Sequence, residues 1–184
     1  MRKRKIGIVA VVLYLPVALL LGCQNNPKIQ FEPLSIEHNN AAPSARSAAR
    51  VALQQLGIGY RWGGTSPSGF DCSGLVQYAY ARAGITVPRT ALQQQQYTRP
   101  VSPHELRTGD LVFFNTRGNS ISHVGIYLSG SHFVHAPMQG RWVSVDSLNN
   151  PYWQERLVSV GRISHLHPIS AKWSTGFTSQ DPSI

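Results

Sequence analysis

The sequence predicts an α+β fold in which N-terminal helices pack on an antiparallel sheet of about five strands. Two observations carry that expectation. Helical spacing of apolar residues fills the first half of the body, and after Gly109 it gives way to short alternating segments. The helices come as one block and the strands as another, which argues against an alternating parallel architecture. A third observation excludes a single helical bundle: 16 Gly and 12 Pro in 184 residues demand many turns.

The N-terminus is read first. "MRKRKIGIVAVVLYLPVALLLGCQNN" runs from a basic tetrapeptide through an apolar stretch, Ile6 to Leu21, to Leu20-Leu21-Gly22-Cys23. A charged start, an apolar middle and a small residue at a cut site mark residues 1–22 as a signal peptide. The apolar run is shorter than the roughly 20 residues that a membrane span needs. Its ending resembles a bacterial lipobox. That resemblance implies cleavage before Cys23 and lipidation at Cys23, and Gln24 in place of aspartate implies the outer membrane, with the domain facing the periplasm. Each buried acyl CH₂ contributes roughly 0.8 kcal/mol to such anchoring.

Residues 23–45 are polar, with scattered Pro and Asn, and read as a tether. From residue 46 to 167 the pattern is that of a folded domain. "SARSAARVALQQLGIGY" is a helix that starts at a Ser cap and stops at Gly57. "YRWGGTSPSGFD", residues 60–71, is turn-rich and aromatic. A second helix runs from Cys72 to about Ala83, with Asp71 as N-cap and Gly84 as stop. "TALQQQQY" predicts a short third helix. Strands are expected at 110–115, 122–128, 132–137, 141–147 and 157–163, as a meander. Residues 168–184 read as a loose tail.

Charge narrows the partners. The formal net charge is +9, but Arg2, Lys3, Arg4 and Lys5 belong to the leader, and without them 13 basic side chains face 8 acidic ones. The surplus suits an anionic polymer or surface. The body has neither a dense Lys/Arg run nor a basic helical stripe, so no nucleic-acid partner is expected.

The chemistry centres on Cys72. The chain has two cysteines, and with Cys23 acylated Cys72 has no partner for a disulfide. Position alone leaves two readings open: a thiol packed in the core, or a nucleophile at a helix N-terminus. There the unpaired amides lower a free thiol pKa of about 8.5 and serve as oxyanion donors. Gly74 is expected to keep the approach to the sulfur clear. His123 and His135 stand in apolar strand patterns, where Val or Ile would be usual. A hairpin with Leu128-Ser129-Gly130 as its loop sets Tyr127 opposite Ser131 and His123 opposite His135. A slip of two leaves the histidines diagonal on one face, and a slip of one separates them across the sheet. His123 could then take the Cys72 proton while His135 orients it. One thiolate and two imidazoles could also hold zinc. His38, His104, His132, His165 and His167 carry no such pattern.

"YRWGGTSPSGFDCSGLVQYAY", "VPRT", "LRTGDLVFF", "SHVGIYL" and "FVHA", in this order over residues 46–165, resemble the NlpC-type peptidoglycan endopeptidases. Within them the chain is most similar to the lipid-anchored murein endopeptidases of Gram-negative bacteria, the MepS- and NlpC-like lipoproteins. The resemblance implies a papain-like α+β fold and a cysteine peptidase with a Cys72–His123–His135 triad. The metal-free, cofactor-free reaction would hydrolyse amide bonds in stem peptides or cross-links, remodelling the cell wall. It further implies that Tyr60 lies beside the oxyanion site, and that Asp71 and Ser73 help hold a stem-peptide amine or amide. Arg89 of "VPRT" would face the acidic peptide. The rival readings are a non-catalytic wall-binding lipoprotein and acyl transfer to or from lipid.

Overall fold

The computed structural model describes residues 41–118 and 120–164. The expected signal peptide, Cys23, nearly all of the expected tether, and the tail lie outside the described residues.

Helix α1 (Pro43–Leu53) opens on Pro43, whose missing N–H costs nothing in a first turn, and Ala42 rather than a serine stands at its N-cap. The expected Ser cap is therefore inside the helix, and the last residues read as tether are its first turn. One face of α1 carries Ala48, Ala49 and Ala52, all fully buried. Those small side chains let α1 approach α2 (Cys72–Arg82) closely. On α2, Leu75, Val76, Ala79 and Tyr80 are buried at helical spacing. The Tyr80 hydroxyl donates to the Gly109 carbonyl, which ties the helix to the start of the sheet.

Between the helices the loop that approaches Cys72 forms a small hairpin, β1 (Thr65–Ser66) with β2 (Gly69–Phe70). Helix α3 (Ala91–Tyr97) begins with a capping box, in which Thr90 accepts from the Gln93 amide and Gln93 accepts from the Thr90 amide.

The main sheet has six strands: β3 (Arg99–Pro100), β4 (Leu111–Phe114), β5 (His123–Tyr127), β6 (His132–His135), β7 (Ser144–Ser147) and β8 (Leu157–Arg162). Their spatial order is β3-β8-β4-β5-β6-β7. The expected meander holds for β4 to β7. The last strand departs from it, crossing back to lie between β3 and β4. Arg162 pins this crossover, making two hydrogen bonds of 2.7 Å to the buried Asp110 carboxylate. The sixth strand, β3, has two residues, one of them Pro, and its short edge position gave no alternating pattern to read.

The sheet is buried on both faces near β4. Leu111, Phe113, Val124, Ile126 and Val134 join the helical core. Val112, Phe114, Phe133, Val160 and Trp153 form a second cluster. Trp153 comes from a one-turn helix, α4 (Pro151–Gln154), capped by Asn150, whose side chain accepts from the Tyr152 amide at 2.9 Å.

Candidate active site

Cys72 is the first residue of α2, where the chain turns out of the β1–β2 hairpin. Asp71 caps the helix, accepting from the Gly74 amide at 2.7 Å. Gly74 is needed for a reason other than access to the sulfur. A Cβ there would stand 2.0 Å from the Gly64 carbonyl oxygen, so its absence lets the hairpin loop pack against the helix start.

His123 begins β5 and His135 ends β6. The ladder between them pairs Ile126 with Val134 and Tyr127 with Phe133. The register is therefore two residues from the expected one, and the loop is Ser129-Gly130-Ser131, with Gly130 and Ser131 both in left-handed backbone (φ 53° and 72°). The Leu128 amide, donating to the His132 carbonyl at 2.9 Å, closes this loop. The histidines are diagonal on one face, and His123 Nε2 lies 2.8 Å from His135 Nδ1. The rings meet edge to face at 5.0 Å.

The far side of His135 meets a group that the sequence reading did not single out. Its Nε2 lies 2.9 Å from Asp146 Oδ2 on β7. Asp146 is opposite Phe133 in the β6–β7 ladder, and so diagonal to His135 on the same face. The same Oδ2 accepts from the Trp153 indole N–H at 3.1 Å. Trp153 also stacks on His123, with ring centres 5.3 Å apart and planes at 24°. Two signals for these residues were present in the sequence. One is an acidic residue inside the apolar alternation "VSVDS". The other is a Trp following "NNP", a helix-start tripeptide. Both nitrogens of His135 are thus engaged within the protein, and neither is left for a metal.

Cys72 and His123 open onto one cleft of about 1190 Å³, which Tyr60, Asp71, Ser73, Arg89 and Asp146 also line. The Val124 amide and the amides of Ser73 and Cys72 stabilise the thiolate, yet burial outweighs them, followed by the neighbouring Asp71, and the Cys72 pKa is raised. This reverses the expected depression: the thiol is half-buried beside Asp71, and desolvation outweighs the helix-start amides. Burial, and after it the neighbouring His135, holds the His123 pKa well below 6.5. Both shifts favour a thiol and a neutral imidazole over an ion pair. Tyr60 sits close enough to interact electrostatically with Cys72, and burial raises its own pKa.

Asp71, Ser73 and Arg89 form one cluster. The Asp71 carboxylate accepts from Arg89 Nη1 and Nη2 (3.0 and 2.5 Å), from the amides of Gly63 and Gly74, and from the Ser73 hydroxyl. Arg89 Nη1 also reaches Ser73 Oγ at 3.0 Å. The guanidinium fork is turned to its own protein, leaving only its remaining N–H groups to face a peptide.

A cysteine at a helix start, in one cleft with a histidine of an antiparallel sheet, defines a papain-like α+β domain with a thiol-bearing cleft. The chain belongs to the NlpC/P60 family, whose signature matches residues 57–162. It is 46% identical over 117 residues to the bifunctional muramidase/DL-endopeptidase CwlT of Bacillus subtilis, covering 62% of this chain and 35% of that one. It is 42% identical over 125 residues to the murein DD-endopeptidase MepH of Escherichia coli, covering 65% and 46%. The chain thus spans less than half the length of either relative. Among solved structures, an NlpC/P60 family protein from Bacillus cereus superposes with a TM-score of 0.63 at 34% identity, covering 67% of this chain and 41% of that one. The peptidoglycan hydrolase RipB of Mycobacterium tuberculosis gives 0.57 at 32%, covering 70% and 68%.

Proposed function

We propose that this chain hydrolyses amide bonds in peptidoglycan stem peptides or their cross-links, with Cys72 as nucleophile, His123 as base and His135 as its orienting partner. One observation carries the reading: a helix-start thiol shares an open cleft with an imidazole whose far nitrogen is held by a second imidazole. The names of the relatives, DL-endopeptidase, DD-endopeptidase and peptidoglycan hydrolase, supply the substrate class.

His123 Nε2 is engaged by His135, so Nδ1 takes the proton from Cys72. The sulfur attacks the amide carbonyl. The resulting oxyanion is met by the Cys72 amide at the helix start, with the Tyr60 hydroxyl beside it. His123 then gives its proton to the leaving amine, and the C–N bond breaks to leave a thioester. Water, deprotonated by His123, cleaves the thioester and restores the thiol. Digestion of purified sacculi and muropeptides with the full chain, followed by mass spectrometry, tests this reading and identifies the bond cut. Wild type is expected to release new free amines and Cys72→Ala none. A wild type without products across a pH series would instead favour a non-catalytic wall-binding protein.

The leader supports a second part of the proposal, acylation of Cys23 and anchoring in the outer membrane, with the domain facing the periplasm. Metabolic labelling with a palmitate analogue should mark wild type, and label of equal strength on Cys23→Ser would overturn it.

A further inference from the structure

We propose that Asp146, held by Trp153, is a positioning residue that sets the tautomers of both histidines and so decides which nitrogen of His123 faces the thiol. The inference rests on the cysteine-peptidase reading above. It follows from donor and acceptor capacity when His135 is neutral. An ionised carboxylate only accepts, so the proton on His135 must sit on Nε2, the nitrogen 2.9 Å from Asp146. In a neutral His135 the other nitrogen, Nδ1, is then an acceptor. The 2.8 Å contact with His123 requires a donor, so His123 carries its proton on Nε2. That leaves the lone pair of His123 on Nδ1, free for the Cys72 proton. A single acceptor on β7 thus sets the base two rings away.

Trp153 backs up the acceptor at position 146. An indole N–H only donates, and it points at the same Oδ2 that His135 uses. Whatever atom occupies that position must therefore accept from both. If an amide replaced the carboxylate, Trp153 would hold the amide oxygen there and keep its NH₂ away from His135. Removing the indole alone leaves the carboxylate, which still accepts from His135. Only when both are changed can an N–H turn towards His135 Nε2. Each ring then reverses, and His123 presents N–H, not a lone pair, to the sulfur. Trp153 thus acts only through the group at position 146, by fixing which of its atoms faces His135.

The test is a double-mutant cycle on the full chain, with substitutions Asp146→Asn, Trp153→Phe and both together, plus Asp146→Ala. Two readouts are taken: long-range ¹H–¹⁵N spectra of the labelled histidines, which report tautomers, and kcat with KM on muropeptides. Asp146→Asn is expected to keep both Nε2–H tautomers and kcat within about 3-fold of wild type. Asp146→Ala is expected to lose about 10- to 100-fold in kcat with little change in KM, and to mix the tautomers. The double variant is expected to fall further than the product of the singles. A merely structural role would make Asn and Ala alike in tautomer and the cycle additive, and either result overturns the proposal. If Trp153→Phe fails to fold, the Asn-against-Ala contrast in the spectra decides alone. Tautomers that respond as expected in a protein that cuts nothing would sink the peptidase reading and leave the positioning role standing.

Discussion

At the level of single residues, burial opposes ionisation of Cys72. Burial raises the thiol pKa and lowers that of His123, so both shifts oppose a resting ion pair. For a thiol with a raised pKa, the thiolate fraction at any given pH is lower than in the unfolded chain. Alkylation by iodoacetamide should therefore show its midpoint at higher pH in folded protein than in urea-unfolded protein. A folded midpoint below the unfolded one would mean that the helix-start amides and His123 outweigh burial. The ionisable groups that act on the sulfur in that balance include Asp71 and Tyr60. At this scale much of the site was legible. Cys72, His123 and His135 stand out because a thiol without a disulfide partner and imidazoles inside apolar strands need a reason. Asp146 and Trp153 did not, because an acid on a strand and an aromatic after a Pro have ordinary explanations until the fold places them together. The direction of the thiol's shift is illegible for a related reason: sequence shows the helix start but not the packing that desolvates the sulfur.

Among elements, the start of α2 depends most on one residue. A Gly in a helix usually gains about 1 kcal/mol on replacement by Ala. At Gly74 the new methyl would meet the Gly64 carbonyl at 2.0 Å, and backbone cannot swing aside as a flexible side chain can. Overpacking costs about 1–3 kcal/mol and outweighs the propensity gain. Gly74→Ala should therefore lower the urea midpoint without changing the slope, and a rise would show that the hairpin loop yields freely. Element identity was mostly legible, since α2, α3 and the five longer strands follow period and capping signals. Boundaries and register were less so. The β5–β6 loop could be read with either of two registers, and a slip of two preserves side-chain faces, so the pattern of His123 and His135 could not choose between them. The β1–β2 hairpin, β3 and α4 are too short for any periodicity to show.

For the whole molecule, the order of helices before strands was enough to give the class, because layer packing follows from which segments are helical and which are extended. It was not enough to give the path. A meander is the simplest reading of consecutive strands, and nothing local to residues 157–162 tells that they pair with β4 rather than continue past β7. Arg162 and Asp110 encode that choice across 52 positions, a separation at which single-sequence patterns are silent.

The insertion of β8 between β3 and β4 sets an order of events during folding. A chain ordered only as far as β7 already holds Cys72, His123, His135 and Asp146, yet β4 still has one bare edge. That edge is a row of unpaired N–H and C=O groups, open to the wrong strand. Only the arrival of β8 closes it, through contacts of long sequence separation that form slowly. Closure of the sheet beside the thiol cleft thereby waits on β8, and a fold that lacks it carries Cys72, His123, His135 and Asp146 beside a sheet still missing an inner strand.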